Sequence, residues 1–75
     1  MPRYYFEVEN ENSVFEDAEG EEYPSDEKAL NVARRLALEM TEDNAELAGG
    51  TLRVLNTEGE VLGEFIIPPT KEQLQ

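Results

Sequence analysis

The clearest hydrophobic pattern runs from Ser25 to Leu47. At about 100° per residue, Ala29, Val32, Ala33, Leu36, Met40 and Leu47 fall on one face, with Leu30 and Ala37 on its flank. The opposite face carries Glu27, Lys28, Arg34, Arg35, Glu39, Glu42 and Glu46, and Leu38 projects from it alone. This spacing predicts one amphipathic helix. Ser25 is placed to cap it by accepting an N–H of the first turn. Asp26 and Glu27 suit the positive end of the helix dipole, while Lys28 stands where a capping-box glutamate would be. Gly49-Gly50 supplies the stop. The acidic last turn has the wrong sign for the dipole there, so fraying is expected after about Thr41.

The flanking segments alternate instead. Between Arg3 and Glu9, Tyr4, Phe6 and Val8 point one way and Arg3, Tyr5, Glu7 and Glu9 the other, which is a strand signal. Asn10 to Asn12 reads as a turn, Ser13 to Asp17 as a short second strand, and Ala18-Glu19-Gly20 as another turn. Glu21 to Pro24 then leads into the helix, with Tyr23 near its start. Thr51–Asn56 and Val61–Ile67 form a hairpin. A two-residue turn at Glu58-Gly59 pairs Leu55 with Leu62, Val54 with Gly63, Arg53 with Glu64 and Leu52 with Phe65. In that register Leu52, Val54, Val61, Phe65 and Ile67 share the face that meets the helix, and Arg53 opposes Glu64 on the other.

The expected fold is therefore α+β. It has the order ββαββ, a four-stranded antiparallel sheet and one helix packed on one face. A right-handed crossover gives the strand order second, first, third, fourth. One domain is expected over residues 1–67, with 68–75 as a disordered tail after Pro68-Pro69.

Length and charge narrow the function. A chain of 75 residues buries only about 60% of its unfolded surface, so its stability rests on a small core. Eighteen acidic residues against six basic ones give a net charge of −12. That excess argues against nucleic-acid backbones and anionic membranes as partners. Without histidine or cysteine, metal, cofactor and nucleophilic chemistry lose their usual residues, and no enzyme activity is expected. The acidic turn Glu16, Asp17, Glu19, Glu21 and Glu22 has the donor type for a hard cation but not the calcium-loop spacing, and a solvated turn is the expected reading. The lack of a long apolar run makes a soluble cytoplasmic protein the default.

Several stretches carry a resemblance. Met1-Pro-Arg-Tyr-Tyr-Phe6, Asp17-Ala-Glu-Gly20-Glu, Pro24 before the alanine-rich helix and the Glu58-Gly59 turn resemble DUF6894, a family of short bacterial proteins of unknown function. The resemblance spans roughly residues 1 to 67, implies a small α+β fold and supplies no catalytic residues. A weaker similarity is to HicB-type antitoxins, although their Pro-Gly-Cys-like turn and DNA-binding extension are missing.

The remaining candidate is the sheet face away from the helix. It is expected to carry Tyr5, Leu55, Leu62 and Ile66, edged by Arg3, Glu7, Arg53 and Glu64. An apolar spot with a rim of both charge signs suits a protein partner or a second copy, with Tyr5 as anchor. The expected function is a protein–protein interaction or regulatory module. The alternative is an acidic nucleic-acid mimic, or an antitoxin-like protein binding a basic partner.

Overall fold

The computed structural model of the chain describes residues 1–11, 14–43 and 49–69. Strand β1 (Arg3–Glu9) is followed by β2 (Val14–Glu16), β3 (Glu21–Glu22), helix α1 (Asp26–Asp43), β4 (Thr51–Leu55) and β5 (Val61–Ile66). The sheet is antiparallel with order β2-β1-β4-β5, the order expected from the crossover argument. The expected fraying beyond Thr41 and the tail after Pro69 fall largely outside the described residues; Thr41 to Asp43 are helical.

One strand was not expected. Glu21–Glu22 pairs with Arg3 and Tyr4, end to end with β2 along the same edge of β1. The Tyr23 N–H extends the pairing to the Pro2 carbonyl at 3.1 Å. The segment that leads into the helix is thus tied into the sheet first.

The helix begins as its sequence predicts. The Ser25 hydroxyl accepts the Lys28 N–H at 3.1 Å, and the Tyr4 hydroxyl donates to Asp26 at 2.6 Å, fixing β1 to the first turn. Ala29, Ala33 and Ala37 are fully buried and form the line of closest approach, so Ala37 lies at the centre of the buried stripe rather than on its flank. Their small side chains let α1 lie close over β4 and β5. Gly63 helps, because a Cβ there would meet the Leu30 Cδ2 at 2.6 Å.

Tyr4, Val8, Leu52, Val54 and Ile67 complete the core from the sheet. Tyr23 packs against it and stacks on Phe6, with ring centroids 6.2 Å apart and planes 7° from parallel. The fully buried Ile67 is held by two bonds, Gly49 N–H to its carbonyl at 2.8 Å and its own N–H to the Gly50 carbonyl at 2.9 Å.

Phe15 sits opposite Val8, on the helix side of the sheet. It remains half exposed because α1 lies over the other half of the sheet. An apolar depression of about 340 Å³ opens between Phe15, Met40 and Leu52.

The β4–β5 hairpin corrects the expected turn. Asn56 N–H bonds to the Glu60 carbonyl at 3.0 Å, so the loop is Thr57-Glu58-Gly59, three residues and not two. The Asn56 side-chain oxygen accepts the N–H groups of Glu58 and Glu60, both at 2.9 Å. Gly59 takes φ 83°, the left-handed conformation that such a loop requires at its third position. The loop shifts the register by one, so Leu55 pairs with Val61. A bulge at Leu62 then restores it, and Val54, Arg53 and Leu52 face Gly63, Glu64 and Phe65 as expected.

Candidate interaction surface

The sheet face away from α1 is built in rows, because residues directly opposite one another across an antiparallel ladder share a face. The first row is Tyr5, Leu55 and Val61. The second is Glu16, Glu7, Arg53 and Glu64. The third is Val14, Glu9, Thr51 and Ile66.

This arrangement changes the expected patch. Tyr5 and Leu55 are neighbours on the open face, as proposed from the sequence. Leu62 is not with them: as the bulged residue it packs against the core. Val61, expected on the helix side, replaces it opposite Leu55 and is 50% exposed. Ile66 shares the face and is 68% exposed, but the Arg53–Glu64 row separates it from Leu55. The apolar positions therefore form one strip, Tyr5, Leu55 and Val61, with Ile66 standing apart beyond a charged row.

Arg53 holds that row together. Its guanidinium donates to Glu9 at 2.6 Å, Glu64 at 3.0 Å and Glu7 at 3.2 Å. The Glu9 bond, with further help from Glu64, raises the already high pKa of Arg53, while desolvation works in the opposite direction. Glu7 is the most sheltered of the three carboxylates. One cation serves three anions, so the quartet keeps surplus negative charge.

At the near end of the face, the β2–β3 loop folds onto Tyr5. Gly20 has φ 70°, and a Cβ there would lie 2.7 Å from the Tyr4 carbonyl oxygen and 2.8 Å from the Tyr5 ring. Asp17 shapes this loop, its carboxylate accepting the N–H groups of Glu19 and Gly20, both at 3.2 Å. Arg3 anchors the loop by donating to the Glu19 carbonyl at 2.8 Å. The acidic turn thus owes its shape to Asp17 and Arg3. Among the described residues no group of three or more acidic side chains is placed to hold a metal ion. Beside Tyr5 and Leu55 a shallow depression of about 320 Å³ opens toward Asp17 and the 57–59 loop.

The two tyrosines on the helix side are perturbed. Tyr4 is pushed up to about 12, first by its hydrogen bond to Asp26 and then by burial and that carboxylate's charge. Tyr23 also rises to about 12, chiefly by burial and then by its 2.7 Å bond to Glu21, with the charges of Glu21 and Asp17 adding. Both are held as phenols; Tyr4 ties β1 to the helix start, while Tyr23 bonds back to Glu21 of β3.

With this geometry in hand, residues 3–68 match the family model for the domain of unknown function DUF6894. The chain belongs to the DUF6894 family. The match takes in every described strand and the helix, so the open face is part of the family's domain and not an appendage. No curated protein and no solved structure matches the chain. Among the described residues no helix is long and apolar enough to cross a membrane.

Val61 is the open-face residue that the sequence pattern placed on the wrong side. The signal for it was Asn56, whose side chain favours a turn and which stands three residues before Gly59, the spacing of a three-residue hairpin loop.

Proposed function

We propose that this DUF6894 protein is a non-enzymatic interaction module that docks a protein partner on the open face of its sheet. The observation that carries the reading is the apolar strip Tyr5–Leu55–Val61 and the exposed Ile66 on either side of the charged row centred on Arg53. Exposed apolar side chains beside a fixed, hydrogen-bonded polar pattern give a partner both buried area and registration. The helix packs over β4 and β5 on the other face, so docking here needs no opening of the core.

The test is a triple variant, Leu55→Thr, Val61→Thr and Ile66→Thr. Threonine suits strands, and all three positions face away from α1. The variant should keep the wild-type circular dichroism spectrum and lose partners that the wild type captures. Partners retained at wild-type levels by the folded variant would refute docking on this face.

The −12 charge favours a second reading, an acidic mimic that occupies a basic protein. That complex would dissociate at about 1 M NaCl, where the Debye length is ~3 Å, and would tolerate the threonine substitutions.

A further inference from the structure

Across the β1–β2 ladder, Glu7 and Glu16 stand directly opposite one another on the open face. Side chains so placed have Cβ atoms about 4.5–5.5 Å apart, and like charges at that spacing destabilise a sheet. Nothing among the described residues offsets this cost in full. Arg53 gives Nη1 to Glu7, but its Nη2 is taken by Glu9 and its Nε by Glu64. Among the described residues no cation is paired with Glu16. A local rule broken without compensation marks a position where function is to be sought.

The two carboxylates do not stand alone. Together with Tyr5 and Leu55 they line the depression of about 320 Å³ at this end of the face. Tyr5 precedes Glu7 by two residues, so both side chains leave β1 on the same side. The tyrosine ring is backed by the β2–β3 loop, where Gly20 leaves no room for a Cβ. Its position is therefore set before anything binds, which lowers the ordering cost of binding. The depression thus has an aromatic and aliphatic wall beside an anionic one.

We propose that this depression receives an arginine side chain of a protein partner, its guanidinium bridging Glu7 and Glu16 and its stem lying along Tyr5 and Leu55. Charge complementarity fixes the sign of the occupant, since Glu7 has one nitrogen of Arg53 and Glu16 has no cation among the described residues. The paired carboxylates select arginine over lysine. A planar guanidinium fork can donate to two carboxylates at once and lay its face on an aromatic ring, whereas an ammonium is a compact, strongly hydrated point charge. The apolar stem of the side chain suits the aliphatic wall. This inference rests on the docking reading above and supplies one anchor of that partner. It differs from the acidic-mimic reading, in which charge acts in bulk and no single carboxylate decides binding.

Two capped tripeptides, Leu-Arg-Leu and Leu-Lys-Leu, are the probes. Each is titrated into the isotope-labelled chain and followed by the amide NMR signals of the protein. At about 0.15 M NaCl the Debye length is ~8 Å, so the general attraction of so acidic a chain for any cation is largely screened. The arginine peptide should shift the signals of Tyr5, Glu7, Glu16 and Leu55 saturably and bind at least about threefold more tightly than the lysine peptide. Glu16→Gln should weaken the arginine peptide by about threefold, the size expected of one exposed ion pair. Glu27→Gln removes the same charge from an exposed position on α1, across the sheet from the depression, and should leave the affinity unchanged.

Glu16→Gln should also raise the melting temperature at about 0.01 M salt, where the Debye length is ~30 Å, because it relieves the like-charge pair. Equal weakening by the two variants overturns the inference. So does equal binding of the two peptides, or the absence of saturable shifts at those four residues. Each of these results leaves docking on the apolar strip to be decided by the threonine variant. A lower melting temperature for Glu16→Gln would make Glu16 a residue that serves the fold, and overturns the inference as well.

Discussion

Gly20 and Gly59 both hold positive φ, at 70° and 83°, and only one of them is crowded. Replacing either with alanine imposes the left-handed conformation on a side chain, which costs about 1 kcal/mol. At Gly59 nothing lies within 4 Å of the new Cβ, so the conformational term is the whole cost. At Gly20 the new atom would stand 2.7 Å from the Tyr4 carbonyl oxygen and 2.8 Å from the Tyr5 ring. Ordinary carbon contacts optimise at about 3.5–4.0 Å, so the loop or the ring must move by close to an ångström. Forcing atoms into packed space typically adds about 1–3 kcal/mol. Gly20→Ala should therefore cost about 2–4 kcal/mol against about 1 kcal/mol for Gly59→Ala. In a domain of this size each kcal/mol lowers the melting temperature by about 4–8 °C. Thermal denaturation by circular dichroism should show a drop of about 4–8 °C for Gly59→Ala and at least twice that for Gly20→Ala. Removing the Tyr5 ring should recover only part of the larger loss, since the Tyr4 carbonyl stays in place. Equal drops for the two variants would refute the close seat of the β2–β3 loop on Tyr5, and with it the shape given to that end of the open face.

Three further outcomes are expected. Arg53→Met should lower the urea midpoint and do so less at high salt, because three neighbouring carboxylates lose their shared cation and salt screens what repulsion remains; a loss that is independent of salt would contradict this. Tyr4 and Tyr23 have folded pKa values raised to about 12 against about 10 in the unfolded chain, so their contribution is complete below pH 10 and is lost as pH climbs toward 12; absorbance at 295 nm and denaturation should change together over that range, and Tyr4→Phe should flatten the stability change. Leu62→Thr should destabilise by about 1–3 kcal/mol while Val61→Thr stays within about 0.5 kcal/mol, as measured by urea titration, because only Leu62 packs on the core.

Periodicity carried most of the fold. Tyr4, Phe6 and Val8 announce a one-sided strand, and the alanine spacing announces the helix, because each element must present its apolar positions at its own repeat. Glu21–Glu22 could not be seen this way. Two consecutive glutamates have no apolar alternation, and their pairing exists only because Arg3, Tyr4 and Pro2 lie alongside in the folded chain. Val61 and Leu62 were interchanged for a related reason. An apolar doublet fits either face, and the choice was made by the Asn56 loop and the bulge it requires. Arg53 opposite Glu64 was legible from the hairpin alone. Glu7 and Glu9 joined them only once β1 was placed beside β4, which is a fact of strand order rather than of local sequence.

The Arg53 row also explains why the open face is not an unfinished core. A second apolar layer would need adjacent rows to merge, so that Leu55 and Val61 touched Ile66 across the sheet. The intervening row places a guanidinium and its carboxylates between them instead, and that group cannot be stripped of water cheaply unless every donor and acceptor stays paired. The quartet engages all three guanidinium nitrogens and leaves the carboxylates with lone pairs to spare. A neutral apolar partner would strand those oxygens, whereas a partner with cations set among apolar side chains would satisfy them. The same row that keeps this face from closing into a core therefore selects what can cover it.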